Sequence, residues 1–361
     1  GNDKMDIGLG VPSGADSWKV VERAEELGFD YAWFYDTQQL CGDVFVAMAA
    51  AAMRTSTIRL ATGVLIPSNR IAPVTANAFA SLNAMAPGRI DFGVGTGFTG
   101  RRTMGYGAMK MDDMEAHIEA VYGMLGGEII PVPFEGEMPK ANFLNPDLGL
   151  INIEDPVPLH ISAFGPRGRA LTAKKKAGWI DIVFTERTGL RDLQRMQTSW
   201  AEEGNAPEDL YATMLTLGCI LEPGENYDSD RAIAHAGPGA AIFMHAIVEA
   251  EAKSGEQIPL PDWQRELIDQ YHTLYQSYKP SDARYLSLHR GHMMFVRDDE
   301  RHLVTGDLIR EKTFTGTRDE IVERLTNLKN AGYSQIAVQY NPGREDMIED
   351  WAPILNAVKT A

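Results

Sequence analysis

The feature that most constrains the fold is a regular alternation of short apolar runs with longer stretches of helical period. The runs are almost continuously hydrophobic, which is typical of strands that are covered on both faces and are therefore parallel. Eight such units favour an α/β fold, a single (β/α)8 TIM barrel, over a doubly wound sheet. In chain order the runs are Met5–Gly10, Tyr31–Tyr35, Ile58–Ile66, Ile90–Val94, Leu159–Ala163, Ile180–Phe184, Met214–Leu221 and Gln335–Tyr340.

Three of these units share one kind of helix end, in which a glycine precedes an aromatic residue and a strand follows. The glycines are Gly28, Gly178 and Gly332. We expect each of them to adopt the left-handed conformation that closes a helix. The last unit also has the spacing of a capping box between Thr317 and Glu320, which predicts a helix that begins there.

Two stretches interrupt the alternation, at about residues 127–157 after the fourth strand and at about residues 222–312 after the seventh. The first is rich in proline, and the second contains helical patterns at Ile242–Lys253 and Trp263–Tyr278. In barrels such insertions usually lie over the carboxyl ends of the strands and shape a substrate pocket. No linker separates the units, so we expect one domain over residues 1–361.

Charge and hydropathy exclude two classes of partner. The chain has 50 Asp+Glu and 34 Lys+Arg, a formal net charge of −16, whereas nucleic-acid binding needs concentrated positive charge. No apolar run approaches the roughly 18 residues of a membrane span, and the first residues lack the apolar core of a signal peptide. Cys41 and Cys219 form no disulfide framework. We therefore expect a cytoplasmic protein with no nucleic-acid or membrane partner.

A glycine-rich segment follows the fourth strand. Gly95, Gly97 and Gly100 match the G-x-G-x-x-G pattern of dinucleotide-binding proteins. That pattern expects a helix at once, whereas here the sequence predicts no helix until about Asp112. A rim that lets a flat cofactor approach the backbone is the favoured interpretation. A nicotinamide-dependent dehydrogenase that uses Gly95–Gly100 is the alternative.

Polar or flexible residues also end the second, third and fifth strands. In a barrel the carboxyl ends of the strands form the catalytic face, so Asp36 is a candidate for a polar contact near the reacting atoms. The alternative role of Asp36 is a helix or loop cap. After the fifth strand, Ser162 and the backbone that follows it, with Arg167 and Arg169 nearby, could hold a phosphate. The alternative there is a solvated basic turn.

Two other chemistries lack support in the sequence. His289 and His292 are three residues apart, but no nearby Cys or carboxylate completes a set of metal ligands, so we expect no metal site. No G-x-S-x-G motif is present, which argues against a serine hydrolase.

Four segments together resemble the bacterial luciferase-like superfamily of flavin- and deazaflavin-dependent oxidoreductases, in the branch that contains methylenetetrahydromethanopterin reductase. They occur in the family's order along the whole chain: Ile58–Pro67 (IRLATGVLIP), Gly88–Gly97 (GRIDFGVGTG), Ala163–Arg167 (AFGPR) and Phe314–Thr317 (FTGT).

The resemblance implies a barrel that binds reduced FMN or 8-hydroxy-5-deazaflavin (coenzyme F420) at the carboxyl ends of its strands. It places a non-proline cis peptide bond between Gly63 and Val64, behind the tricyclic ring, with Thr96 on the neighbouring glycine run. The cofactor phosphate then lies near Ser162–Gly165, that is Ser162, Ala163, Phe164 and Gly165, together with Arg167. Thr37 and Phe98 would line the substrate side.

The chain departs from the family at positions that bear on its reaction. Deazaflavin-dependent sugar-phosphate dehydrogenases have a His where this chain has Thr37, and a Glu where it has Phe98. Without that acid/base pair, sugar-phosphate dehydrogenation is not expected. FMN enzymes of the family often have an Arg in the strand-four glycine run, where this chain has Thr96.

The sequence leaves three alternative functions open. The first is a monooxygenase that uses reduced FMN on a small organic substrate, with a separate flavin reductase as partner. The second is a deazaflavin-dependent reductase or dehydrogenase that transfers hydride, since that ring reacts poorly with oxygen. The third is a non-catalytic flavin-binding barrel. The resemblance also implies a homodimer, although no segment of the sequence locates an interface.

Overall fold

The computed structural model describes residues 4–361. The strands, in chain order, are β1 (Asp6–Val11), β2 (Tyr31–Phe34), β3 (Arg59–Thr62), β4 (Ile90–Val94), β5 (Ile130–Pro131), β6 (Lys140–Ala141), β7 (Leu159–Ser162), β8 (Gly178–Ile182), β9 (Ala212–Thr216), β10 (Ile220–Leu221), β11 (Gly316–Thr317) and β12 (Gln335–Gln339). The order β1-β12-β9-β8-β7-β4-β3-β2 closes a barrel in which all neighbours are parallel. The predicted (β/α)8 barrel is therefore confirmed.

Helices surround the barrel and make up most of the second interruption of the sequence pattern. They are α1 (Ser17–Glu26), α2 (Val44–Ala52), α3 (Ala72–Met85), α4 (Phe98–Arg102), α5 (Met111–Leu125), α6 (Pro166–Lys175), α7 (Glu186–Glu202), α8 (Asp230–Ser254), α9 (Asp262–Gln276), α10 (Tyr285–Leu288), α11 (Gly306–Lys312), α12 (Arg318–Ala331) and α13 (Asp346–Thr360). Across residues 4–361, none of the helices is both long enough and apolar enough to cross a membrane.

The seventh predicted strand, Met214–Leu221, is two strands rather than one. The chain leaves the barrel after β9, and β10 pairs with β11 in a separate parallel pair. Gly218 lies between them, so close to the backbone of Phe314 that a Cβ at this position would overlap the Phe314 carbonyl. The prediction of a continuous strand was wrong because the apolar run does not show where this close crossing of two chain segments occurs.

Two of the three predicted helix-closing glycines have the expected left-handed geometry, and the third does not. Gly28 has φ 90° and Gly332 has φ 132°, whereas Gly178 is the first residue of β8, and Lys176, with φ 50°, closes α6. A Cβ on Gly178 would overlap the ring of His160 inside the barrel. Position 178 therefore requires glycine because of close packing, and not because of a positive φ.

The last helix begins where the capping-box spacing predicts it, but without the capping hydrogen bond. Thr317 is the N-cap residue of α12, and its side chain accepts no bond from the first turn. Ile321, Leu325 and Leu328 are each 0% exposed, so α12 is held by its apolar stripe against the core.

The insertion after β10 is an all-helical unit with an apolar cluster of its own, built mainly from α8, α9 and α11. The predicted helix Ile242–Lys253 extends back to Asp230, through Pro238. Gly237, Pro238 and Gly239 are all buried, and a Cβ on Gly237 would lie 2.7 Å from Val296 Cγ2. Tight tertiary packing thus overrides the low helix propensity of these three residues. The insertion after α5 is simpler and contains the antiparallel pair β5–β6.

Polar and aromatic side chains fill the amino-terminal half of the barrel. Asp91, which is 0% exposed, accepts hydrogen bonds at 2.7 Å from both Arg59 and His160. The rings of Tyr31 and Trp33 stack beside His160, with ring centroids 5.6 Å apart. This network closes the barrel below its carboxyl end.

A buried carboxyl on the outer face of the barrel predicts how stability depends on pH. Burial, together with a smaller effect of the neighbouring carboxylate of Asp192, raises the pKa of Asp181 to about 9. Between its ordinary value of 3.8 and about 9 the folded protein therefore binds a proton that the unfolded chain lacks, so this group's contribution to stability falls as the pH rises.

We expect Asp181→Asn to flatten that dependence, because the amide resembles the protonated acid. Denaturation curves at pH 5, 7 and 9 measure the effect, and the slope of the wild type in excess of the variant's should approach about 1.4 kcal/mol per pH unit at most. Asp192→Asn, which removes the neighbouring charge, should reduce the excess only in part. If the free energy of unfolding depended on pH equally in the wild type and in Asp181→Asn, the raised pKa of Asp181 would be contradicted.

Candidate active site

The third strand ends in an irregular step that is hydrogen-bonded to both neighbouring strands. The peptide bond between Gly63 and Val64 is cis, which confirms the position that the resemblance implies. Gly63 N donates to Phe34 O at 2.7 Å, and Leu65 N donates to Gly93 O at 2.8 Å. The backbone at this point is therefore fixed between β2 and β4, at the carboxyl end of the barrel.

Glycines allow the strand ends to pack closely around this step. A Cβ on Gly63 would lie 2.7 Å from Trp33 Cβ, and a Cβ on Gly95 would lie 2.8 Å from Val64 Cγ2 and 3.5 Å from Ser162 Cβ. The ends of β3, β4 and β7 thus bring Val64, Gly95 and Ser162 into one surface, which we call the glycine floor. Because Gly63 and Gly95 have no side chains, the backbone at these strand ends can approach a planar ring closely.

Asp36 lies beside this floor, but its carboxylate is fully engaged. The residue is 4% exposed, and its oxygens accept hydrogen bonds from Ile66 N at 2.9 Å and from Arg70 at 2.9 and 3.2 Å. The side chain therefore holds the segment that follows the cis bond. Both carboxylate oxygens of Asp36 thus have partners within the protein.

Thr37 is the predicted substrate-side residue next to Asp36. Its Oγ1 is buried and has no hydrogen-bond partner in residues 4–361 at normal distance, although the Cys41 thiol lies close enough to interact with it. Buried hydroxyls are nearly always paired, so this one is available to a group that enters the site.

The glycine-rich segment turns directly into a helix, contrary to the prediction that helix is delayed until about Asp112. Gly97 has φ 83°, and α4 begins at Phe98. A Cβ on Gly100 would overlap Ile66 and approach Asp36 O at 3.3 Å. The glycines thus allow α4 to pack against the ends of β2 and β3, and the longer helix α5 follows at Met111.

Thr96 and Phe98 lie at the rim of the site. Thr96 is half-buried, and Phe98 is 54% exposed, with the guanidinium of Arg102 3.8 Å from its ring centroid. Arg102 is also 3.6 Å from Glu249 of α8. An aromatic side chain that carries a cation on one face therefore connects the barrel rim with the insertion.

The segment after β7 ends at an uncapped helix. Gly165, the N-cap residue of α6, is exposed, and no side chain accepts a hydrogen bond from the first turn. Free N–H groups and the helix dipole make such an end an anion site. Ala163 O accepts from Trp179 at 2.9 Å and Phe164 O accepts from Arg169 at 3.0 Å, so the approach to the helix is fixed.

Arg167, which the sequence places at this phosphate site, is on the outer surface of α6. Its guanidinium lies 3.2 Å from Asp112 of α5, and both side chains are largely exposed. Pairs of this kind contribute little to stability, so the side chain is free to reorganise.

Three contacts at this end of the barrel have no local signal in the sequence. Arg70 pairs with Asp36 from 34 residues away. Tyr35 donates to Gln339 at 2.7 Å from 304 residues away, and Gln339 in turn donates to Met293 O of the insertion. Only the closed barrel brings these groups together.

Known proteins with similar sequences share one family and include several F420-dependent oxidoreductases. The sequence model of the family described as luciferase-like monooxygenase matches residues 5–335. A 5,10-methylenetetrahydromethanopterin reductase of Archaeoglobus fulgidus is 30% identical over 321 residues, 88% of this chain and 86% of that protein. An F420-dependent glucose-6-phosphate dehydrogenase of Beutenbergia cavernae is 29% identical over 226 residues, 58% of this chain and 64% of that one. The chain spans less than two-thirds of several such relatives.

A solved structure agrees with this fold over almost the full length. The coenzyme F420-dependent tetrahydromethanopterin reductase of Methanopyrus kandleri superposes with a TM-score of 0.68 at 20% identity, over 98% of this chain and 99% of that one.

Proposed function

The chain belongs to the luciferase-like monooxygenase family, and from that premise we propose that it is an oxidoreductase that binds coenzyme F420 and transfers hydride to or from a small organic substrate. The observation that carries the proposal is the glycine floor, with the uncapped amino terminus of α6 at the end of the same strand β7. A ring and a phosphate of one cofactor require these two surfaces side by side. The F420-dependence of relatives favours the deazaflavin ring.

Each part of the site has a separate task in this proposal. Gly63, Val64 and Thr96 support one face of the ring. Ser162, Ala163, Phe164 and Gly165 lead to the phosphate, which the first N–H groups of α6 would bind. Arg167 lies next to them and adds positive charge. When bound, the deazaflavin supplies the hydride chemistry; the protein supplies position and electrostatics.

On the substrate side, Thr37 and Phe98 replace the acid/base pair of sugar-phosphate dehydrogenases. The Thr37 hydroxyl can donate or accept a hydrogen bond, and Phe98 offers an apolar face that excludes water. Neither residue ionises near neutral pH, which favours a largely apolar substrate. Asp36 is then a positioning residue, because its carboxylate is committed to Arg70 and Ile66 N.

A second candidate is a monooxygenase that uses reduced FMN, which the family description favours. The glycine floor and the α6 terminus serve either ring system. Fluorescence titrations of the full chain with F420 and with FMN distinguish the two. We expect a dissociation constant in the micromolar range or below for F420 and weaker binding of FMN. The reverse order would favour the monooxygenase, and binding of neither would contradict both.

A charge placed at the α6 terminus tests where the phosphate binds. Gly165 has ordinary extended angles, and a Cβ at this position would have no other atom within 4 Å, so Gly165→Asp fits and caps the helix. We expect unchanged or raised thermal stability but at least about tenfold weaker cofactor binding, since a carboxylate repels the phosphate. Gly165→Asn is the matched control, because it caps without charge. Equal cofactor affinities of the two variants would show that the phosphate binds elsewhere.

A further inference from the structure

Three histidines of the insertion converge on one point. His245 lies on α8, His289 follows α10, and His292 lies in the next turn. One ring nitrogen of each lies within 4.8 Å of one ring nitrogen of the other two. His245 and His289 are 2% and 5% exposed, and His292 is half-buried.

The two nitrogens of each ring have different surroundings. Nδ1 of all three histidines is buried and has no hydrogen-bond partner within residues 4–361. Nε2 of His245 lies 2.7 Å from Glu300, and Nε2 of His289 lies 2.9 Å from Glu249. A ring that donates from Nε2 to a carboxylate presents a lone pair at Nδ1. Such unpaired buried nitrogens require an explanation.

We propose that Nδ1 of His245, His289 and His292 bind a divalent transition-metal ion of the zinc class, with the fourth position open to water or another ligand. Three neutral imidazoles are a known zinc set, and histidine ligands usually donate their second N–H to a carboxylate, as Glu300 and Glu249 allow here. Zinc would draw the nitrogens to about 3.3 Å from one another at bond lengths of about 2.0–2.1 Å. The soft χ2 torsion of histidine permits this movement.

Carboxylates beside the cluster suit a bound cation. Glu300 lies against the ring of His245 and Glu249 against the ring of His289, so two negative charges would lie close to the ion.

A metal ion at this site would connect the insertion to the barrel. It would join α8 to the turn at residues 289–293, whose Met293 O accepts a hydrogen bond from Gln339 at the carboxyl end of β12. Glu249 also contacts Arg102, which lies on Phe98 at the rim of the candidate active site. The ion would therefore fix the insertion where it meets the barrel.

The sequence predicted no metal site, because His289 and His292 lack a nearby third ligand. The structure supplies His245, 44 residues before His289, and carboxylates from Glu249 and Glu300. The spacing of these residues in the sequence does not show that His245 and the two carboxylates lie close to His289 and His292.

Calorimetric titration of untagged, chelator-treated full chain with Zn²⁺ tests the site. We expect one ion per chain at this site. His292→Ala, which leaves both carboxylate pairs intact, should weaken binding by at least about 100-fold, and Glu249→Gln by about 10–100-fold. Asp346→Ala is the control and should bind as the wild type does. It alters the group His235, Asp346 and Asp350, the other place in residues 4–361 where ligand-type atoms converge.

Cobalt substitution provides a second readout. Co²⁺ in a site of this kind should give the intense visible bands of tetrahedral coordination, and these should be absent in His292→Ala. Absence of Zn²⁺ binding, equal binding by His292→Ala, or loss of binding in Asp346→Ala alone would overturn the proposal. None of these measurements uses F420 or FMN, so the result is independent of the proposed cofactor.

Discussion

Replacing Asp36 with alanine is expected to lower the free energy of unfolding by about 3–5 kcal/mol, the usual cost of removing one partner from a buried ion pair. Arg70 would lose its bidentate partner, and Ile66 N would lose its acceptor. Since both groups hold the segment after the Gly63–Val64 bond, cofactor binding should weaken as well. Chemical denaturation and a fluorescence titration of cofactor measure the two effects.

Asp36→Asn separates this positioning role from a catalytic one. Asparagine retains an acceptor for Ile66 N but not the charge, so stability and cofactor affinity should fall less than in Asp36→Ala. Turnover should recover at saturating cofactor. If Asp36 also transferred a proton, Asp36→Asn would lose turnover at every cofactor concentration, including saturation.

Asp91→Ala should destabilise the protein by a similar amount, about 3–5 kcal/mol, but by acting at the other end of the barrel. It leaves Arg59 and the buried His160 without their shared acceptor. Within residues 4–361 the hydrogen-bond and ion-pair partners of the Asp91 side chain are Arg59 and His160, and not residues of the candidate site, so the cofactor affinity of the folded variant should equal that of the wild type. Denaturation at room temperature and a titration well below the melting temperature measure both.

Asp91→Asn is the matched control, because its amide oxygen can still accept from Arg59 and the side chain keeps its size beside His160. We expect it to cost less than Asp91→Ala. A loss of cofactor affinity in folded Asp91→Ala would show that the interior network positions the site after all.

The strands could be predicted because strands buried on both faces are recorded locally, as unbroken apolar runs. Eight runs and eight barrel strands correspond, although Met214–Leu221 divides at Gly218. The cis bond at Gly63–Val64 could also be located, because the segment around it is distinctive of the family.

The remaining features depend on contacts between residues distant in sequence. Gly178 is needed because His160 fills the space beside it, and the continuity of α8 through Pro238 depends on tertiary packing. The engagement of Asp36 by Arg70 likewise requires the folded loop. The roles assigned to Thr37, Thr96, Phe98 and the segment at Ser162 stay predictions until binding is measured.

The separate apolar cluster of the helical insertion has a consequence for how such proteins diversify. Because α8, α9 and α11 are stabilised largely by one another, their sequences can drift, or be exchanged for those of a related chain, with little disturbance to the barrel beneath. Selection for a new substrate can then act on these exchangeable helices, while the barrel stays constant. Chimeric chains that join at the β10–β11 pair are the natural way to transfer specificity between members.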